Sequence, residues 1–212
     1  MDRFYKTAII IFLLIIVLVS AFVCIDAFTE IKERQRQQRN EEMLSDDIEI
    51  ERKWIVKGDT SVVDMSNVDI IEIEQTYISF SPEIRVRRLN NGQRYTMTIK
   101  NNLTNDGLQR DEYEFEISES QYNQIITKKE GQTIHKTRYE FVCNGYLSSL
   151  DIFHGELDGL AYLEVEFLDE KESKNYQAPD WVIQEVTNDI LYKNGSLAQH
   201  GIPDSFYDYI KK

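Results

Sequence analysis

Cysteine is nearly absent from this chain: there are two in 212 residues, Cys24 and Cys143. Cys24 sits inside an apolar run, so a bridge to Cys143 is not expected, and no disulfide framework staples the fold. No Cys/His spacing of a zinc site occurs. The three histidines, His135, His154 and His200, are scattered and read as surface or structural side chains. Basic charge is also scarce. Lys and Arg number 24 against 37 Asp and Glu, a net charge of -13. That balance argues against a plain nucleic-acid binder, which needs a basic footprint. It leaves room for a local basic pocket, because net charge says little about one site.

What is present is enough for one folded domain. Hydrophobic residues make up 42% and aromatics 11%, well above the composition of disordered chains. The chain divides by composition into a tail (1–6), an apolar helix (7–25), a polar stalk (26–46) and a domain (47–212). From Ala8 to Ile25 no residue is charged and Ser20 alone is clearly polar. About 18 residues rising about 1.5 Å each approach the ~30 Å hydrocarbon core, and no polar stripe marks a buried soluble helix. The reading is a single-pass transmembrane helix. A cleaved signal peptide ending near Val19-Ser20-Ala21 competes, but the run is longer than the usual h-region. Lys32, Arg34, Arg36 and Arg39 follow the span, against Arg3 and Lys6 before it, which places the domain in the cytoplasm. Thr29 to Leu44 reads as a solvated helical stalk.

The rest alternates with period two. Eight strands are expected: Asp47–Val56, Asp69–Ser79, Ile84–Leu89, Arg94–Asn101, Arg110–Ile117, Thr133–Cys143, Tyr146–His154 and Leu160–Leu168. Asn90-Asn91-Gly92 and Asn144-Gly145 are hairpin signals. Helices are few. Ser118-Glu119-Ser120-Gln121 is a capping box opening a helix that ends near Gly131. Asp180 is expected to cap a second helix reaching about Tyr192, and Asp204 a short third one.

Charges collect on one face of several strands, since side chains at i and i+2 point the same way. Glu49, Glu51 and Lys53 align in the first strand. Arg85 and Arg87 align in the third, Arg94, Thr96, Thr98 and Lys100 in the fourth. Glu112, Glu114 and Glu116 share a face of the fifth, Lys136, Arg138 and Glu140 of the sixth, Glu164 and Glu166 of the eighth. An antiparallel sheet with one wet face would show charges too. Here they sort strand by strand into acidic and basic sets. Closed into a barrel, these faces lie either outside or in the lumen, and periodicity alone leaves both open.

Glu49-Ile50-Glu51-Arg52-Lys53 resembles the Glu-x-Glu-x-Lys signature that opens CYTH domains of the triphosphate tunnel metalloenzyme kind. The likeness continues in order: Gln75-x-Tyr77, Arg85-x-Arg87, Tyr95 to Lys100, Arg110 to Ile117, and Lys136-Thr137-Arg138. Asp151 to Leu160 leads into Glu164-Val165-Glu166, and Trp181 to Asp189 resembles the closing helix of small bacterial members. The resemblance covers Ile48 to Pro203. It implies a mainly β, α+β fold: a closed eight-stranded antiparallel barrel forming a tunnel, with a few flanking helices and charged faces turned inward.

Chemistry follows from that implication. A linear triphosphate in a protein tunnel needs cations at fixed positions. Arg85, Arg87 and Arg138 can fork onto phosphate oxygens, while Lys53, Lys100 and Lys136 supply point charges. Carboxylates hold a divalent ion, Mg²⁺ or Mn²⁺, that bridges to phosphate, and two such ions are expected. Glu49, Glu51, Glu164 and Glu166 resemble the family's main metal cluster, with Glu114, Glu116 and Asp151 a second group. Lys53, Lys136 and Tyr77 are the catalytic candidates, the last two for orienting water or aiding proton transfer. The expected activity is hydrolysis of a terminal phosphoanhydride in inorganic tripolyphosphate. A nucleoside or thiamine triphosphatase, or a class IV-like adenylyl cyclase, is the alternative, and a membrane-tethered polyphosphate-binding module without turnover is a further one. No nucleic-acid partner is expected, and the oligomeric state is not legible.

Overall fold

The computed structural model describes residues 48–58, 60–61, 63–102 and 110–211. The expected transmembrane helix and stalk lie outside the described residues. Among the described residues no helix is long and apolar enough to cross a membrane.

The described chain is a nine-stranded antiparallel sheet with short helices. Its strands are β1 (Ile48–Ile55), β2 (Asp69–Phe80), β3 (Glu83–Leu89), β4 (Arg94–Asn102), β5 (Arg110–Glu116), β6 (Glu130–Cys143), β7 (Tyr146–His154), β8 (Ala161–Phe167) and β9 (Gln184–Glu185). The helices are α1 (Glu119–Ile125), α2 (Glu170–Asn175), α3 (Asn194–His200) and α4 (Asp204–Ile210). All eight expected strands form, with ends shifted by a few residues. The hairpin signals act through backbone shape: Asn144 and Gly145 take φ of 52° and 87°, so Cys143 and Tyr146 close the β6–β7 ladder as a pair. The capping box at Ser118 is made as expected. Its hydroxyl accepts from the Gln121 amide, and the Gln121 side chain accepts from the Ser118 amide at 2.8 Å.

Strand order is β5-β4-β3-β2-β6-β7-β8-β1-β9, and β5 returns to β1. That return spans only Ile48↔Asp111 and Glu49↔Arg110. The expected closed barrel is therefore corrected: the sheet curls round on itself but is not closed along its length. The cause is a competitor for the edge of β1. The Ile183 amide donates to the Ile55 carbonyl and the Val186 amide to the Lys53 carbonyl, both at 2.8 Å. The Lys53 amide is taken by the Thr187 hydroxyl at 3.0 Å. The segment from Ile183 to Thr187 is thus a strap laid along the edge where β5 would pair.

The same bonds correct the expected helix from Asp180 to Tyr192. Amides that would serve helical carbonyls serve β1 instead, so the segment is extended. Only a 3₁₀ turn forms, Ile190–Tyr192, capped by the Asp189 carboxylate. Helices α2 and α3 had no expected counterpart. Asp204 stands in the first turn of α4 behind the N-cap Pro203.

Two apolar clusters hold the sheet. One fills its inner face at one end. There Ile55, Tyr77, Ile134, Phe153 and Tyr162 pack against Tyr192, Leu197 and Phe206 from the C-terminal segments. Full burial of each such side chain contributes about 2 kcal/mol. The other lies outside β1, β7 and β8, where Trp54, Leu150, Leu163 and Val165 are covered by Tyr176, Trp181 and Val182.

Candidate active site

Beyond the apolar end, the inner face turns to charge. Lys53, Arg85, Lys100, Lys136, Asp151 and Glu164 are all buried. Charged groups stay buried only when paired, and each of these is. The side chains fall into two halves.

The first half is built by β1, β6, β7 and β8. Arg138 grips Asp151 with two nitrogens, Nε and Nη2, each at 2.7 Å. Lys136 bonds the same carboxylate. Arg138 Nη2 also reaches Glu164 at 2.6 Å, and Lys53 Nζ lies 2.9 Å from the other oxygen of Glu164. Glu51 stands 3.8 Å from Lys53. Alternation puts these residues on one face, and the registers Arg138↔Asp151 and Lys53↔Glu164 bring them level.

Electrostatics differ sharply between the two lysines. Burial would lower Lys53, but the Glu164 and Glu51 carboxylates outweigh it and hold its pKa above the ordinary lysine value. At Lys136 burial wins. Asp151 opposes it, Arg138 and Arg87 reinforce it, and the pKa drops to about 8. Burial likewise pushes Asp151 and Glu164 up, and their cationic neighbours more than reverse this, leaving both below the carboxylate range.

The second half is built by β3, β4 and β5. Arg85 reaches Glu112 at 3.3 Å and Glu83 at 3.5 Å, and Lys100 reaches Glu112 at 2.5 Å. Arg87 reaches Glu114 at 3.1 Å, and Glu114 also accepts from the Thr98 hydroxyl at 2.9 Å. The halves feel each other: Arg138 lowers the pKa of Arg87, after burial and Arg85.

All six expected phosphate-binding cations, Lys53, Arg85, Arg87, Lys100, Lys136 and Arg138, therefore belong to one charged inner face. The expected acidic groups are placed unequally. Asp151 and Glu164 are central. Glu51 and Glu166 are direct cross-strand partners at the more open end. Glu114 is half-exposed beside Arg87. Glu116 is 70% exposed and pairs with the exposed Arg94 at 2.7 Å, so it sits at the rim. The Glu49 side chain lies outside the described residues. Glu112, expected on the same face but not among the expected ligands, holds the position inside that Glu116 does not. Gln75 and Thr98 are placed by their alternation with Tyr77 and Lys100 but given no role from sequence; Gln75 bonds Arg87 and Tyr77, and Thr98 bonds Glu114. Tyr77 is fully buried and stacks on Phe80 with centroids 5.1 Å apart. Burial, then Glu83, push its phenol pKa up, so the hydroxyl stays protonated.

Among the described residues no three Asp, Glu, His or Cys side chains already converge as a metal cage. The donor set nevertheless suits a hard divalent cation, because every available ligand is a carboxylate. Glu51 opposite Glu166 is also a like-charge cross-strand pair, an arrangement that a bound cation relieves. A concavity of about 640 Å³ lies elsewhere, along the strap at Glu185 to Ile190, and offers an anion no basic side chain.

Comparison with known proteins agrees with this geometry. Residues 47–202 match the CYTH domain model. An inorganic triphosphatase of Nitrosomonas europaea is 36% identical over 154 residues, covering 71% of this chain and 96% of that protein. One of Acetivibrio thermocellus is 37% identical, covering 72% and 94%. A crystal structure of an inorganic triphosphatase superposes with a TM-score of 0.54 at 33% identity, covering 73% of this chain and 97% of that one. With the family model matching most of its length and these relatives matched nearly end to end, the chain belongs to the CYTH domain family.

Proposed function

We propose that the protein hydrolyses inorganic tripolyphosphate, cleaving a terminal phosphoanhydride by attack of water. The observation that carries this reading is the convergence of six cations on one inner face, each now held by a carboxylate. A triphosphate replaces those carboxylates as the anionic partner. Arg85, Arg87 and Arg138 fork onto its oxygens, and Lys53 and Lys100 add point charges. The substrate thereby gives up much of its hydration for fixed charges, and the chain is held for in-line attack. Both curated relatives carry the name inorganic triphosphatase, which supports the same substrate.

The carboxylates released from these pairs would hold the divalent ion. Glu51, Glu164 and Glu166, with the signature residue Glu49, are the proposed ligands, and Asp151 and Glu114 a second group; the ions are Mg²⁺ or Mn²⁺. When bound, such an ion offsets negative charge on the phosphates and stabilises charge developing at the transferred group. Lys136, with its pKa near 8, can take up or release a proton at the working pH beside the attacking water. Tyr77 donates its O–H toward the reacting oxygens. The apolar run from Ala8 to Ile25 would tether the domain to a membrane, facing the cytoplasm.

Phosphate release from tripolyphosphate, ATP, thiamine triphosphate and pyrophosphate tests the reading. Tripolyphosphate should be turned over fastest. Pyrophosphate formed from ATP without free phosphate would mark a cyclase instead.

A further inference from the structure

Gln75 is fully buried on the inner face of β2, between Tyr77 two residues on and its cross-strand partner Arg87. Both ends of its side chain are used. Its Oε1 accepts from Arg87 Nε at 3.0 Å, and its Nε2 donates to the Tyr77 hydroxyl at 2.9 Å. A guanidinium has no acceptor, so only the amide oxygen can face Arg87, and this fixes which way the amide points. The Tyr77 oxygen is therefore the acceptor in its bond with Gln75, and that bond leaves its own proton uncommitted. On the other side, Arg87 spends Nε on Gln75, leaving its terminal nitrogens for Glu114 or an incoming anion. The backbone marks the same place: the register of β2 on β6 shifts between Gln75 and Tyr77. A glutamine that only filled space there would leave one polar end unsatisfied, and a buried unsatisfied amide is costly.

We infer that Gln75 is a positioning residue for triphosphate turnover, holding Tyr77 as an O–H donor toward the phosphates and turning the Arg87 fork to the substrate. This rests on the function proposed above. Gln75→Glu isolates the role, because it keeps size and shape. The new carboxylate still accepts from Arg87, but it also draws the Tyr77 proton to itself, reversing that bond.

The test uses the full-length chain. With tripolyphosphate, Gln75→Glu should lower kcat on the order of 10²-fold with a near-normal melting temperature, the scale set by misplacing one group at a reacting centre. In the Tyr77→Phe background the same change should cost less than about twofold more, since its effect passes through the missing hydroxyl. Unchanged kcat in Gln75→Glu, or losses that multiply in the double variant, would overturn the assignment. A second readout is independent of activity. In protein isotope-labelled at the tyrosine ζ-carbons, the Tyr77 resonance is the one lost in Tyr77→Phe, and it should move in Gln75→Glu. An unmoved resonance would also overturn the assignment. Should the wild type fail to hydrolyse triphosphate, the proposed function falls while this resonance still decides the Gln75 contact.

Discussion

Arg138 and Glu164 stand on β6 and β8, which β7 separates, and their side chains meet at 2.6 Å across it. Such a contact needs both long side chains on the same face of the sheet, reaching over β7 across about 10 Å. Glu164 is also bonded to Lys53, so one carboxylate compensates a buried cation and a partly buried one. Glu164→Gln leaves those cations facing each other, and the expected loss is about 3 kcal/mol of stability in denaturant unfolding. The sign with pH follows from the depressed carboxyl. Stability from Glu164 is present above its unfolded pKa and lost as pH falls through the lower folded value. The wild type should therefore lose its advantage over the variant in acid.

Lys136 gives the opposite window. Its folded pKa of about 8 lies below the free lysine value of 10.5. The unfolded chain then binds more protons between these values, so folding stability rises with pH across that interval. The cost of the buried charge is fully present below pH 8. Against a Lys136→Met control, wild-type stability should gain on the order of 3 kcal/mol between pH 8 and 10.5. Lys136→Arg should also remove any limb near pH 8 from the rate profile.

Arg52 works on the outside of β1. It grips Glu185 at 2.7 and 2.8 Å, donates to the Ser173 and Tyr176 carbonyls, and lies over the Trp54 ring. These contacts pin the strap that occupies the β1 edge. Arg52→Ala should cost about 2 kcal/mol, reduced from the buried case because Glu185 is partly exposed. Hydrogen exchange at the Ile183 and Val186 amides should accelerate, with turnover falling less than in any inner-face variant.

Glu51 and Glu166 face each other without an intervening strand. In calorimetric titration with Mn²⁺, Glu51→Gln/Glu166→Gln should bind on the order of 10-fold or more weakly, as expected when charged ligands are removed. Unchanged metal affinity would remove these residues from the ligand set.

Most of the sheet was legible because alternation is a direct consequence of strand geometry. Lys53, Arg87 and Glu164 announce the charged face by spacing alone. What spacing could not decide was which way that face points; burial of Lys136 and Asp151 decides it. The helix expected over Asp180–Tyr192 failed because Ile183 and Val186 bond to β1, more than a hundred residues away, and no local pattern carries that information. The same strap keeps β5 from β1, so the open seam was equally hidden. Glu112 and Glu116 are indistinguishable in sequence. Only the register with Lys100 and Thr96 puts one inside and the other at the rim.

The most direct test of the central claim is phosphate release from tripolyphosphate by the full-length protein, with and without Mg²⁺ or Mn²⁺, beside Arg138→Gln. The expected result is metal-dependent release, abolished by chelator, with kcat/KM lowered on the order of 10²-fold or more in the variant. Tight metal-dependent binding of tripolyphosphate with no phosphate released would contradict it, and would make the charged face a binding site without turnover.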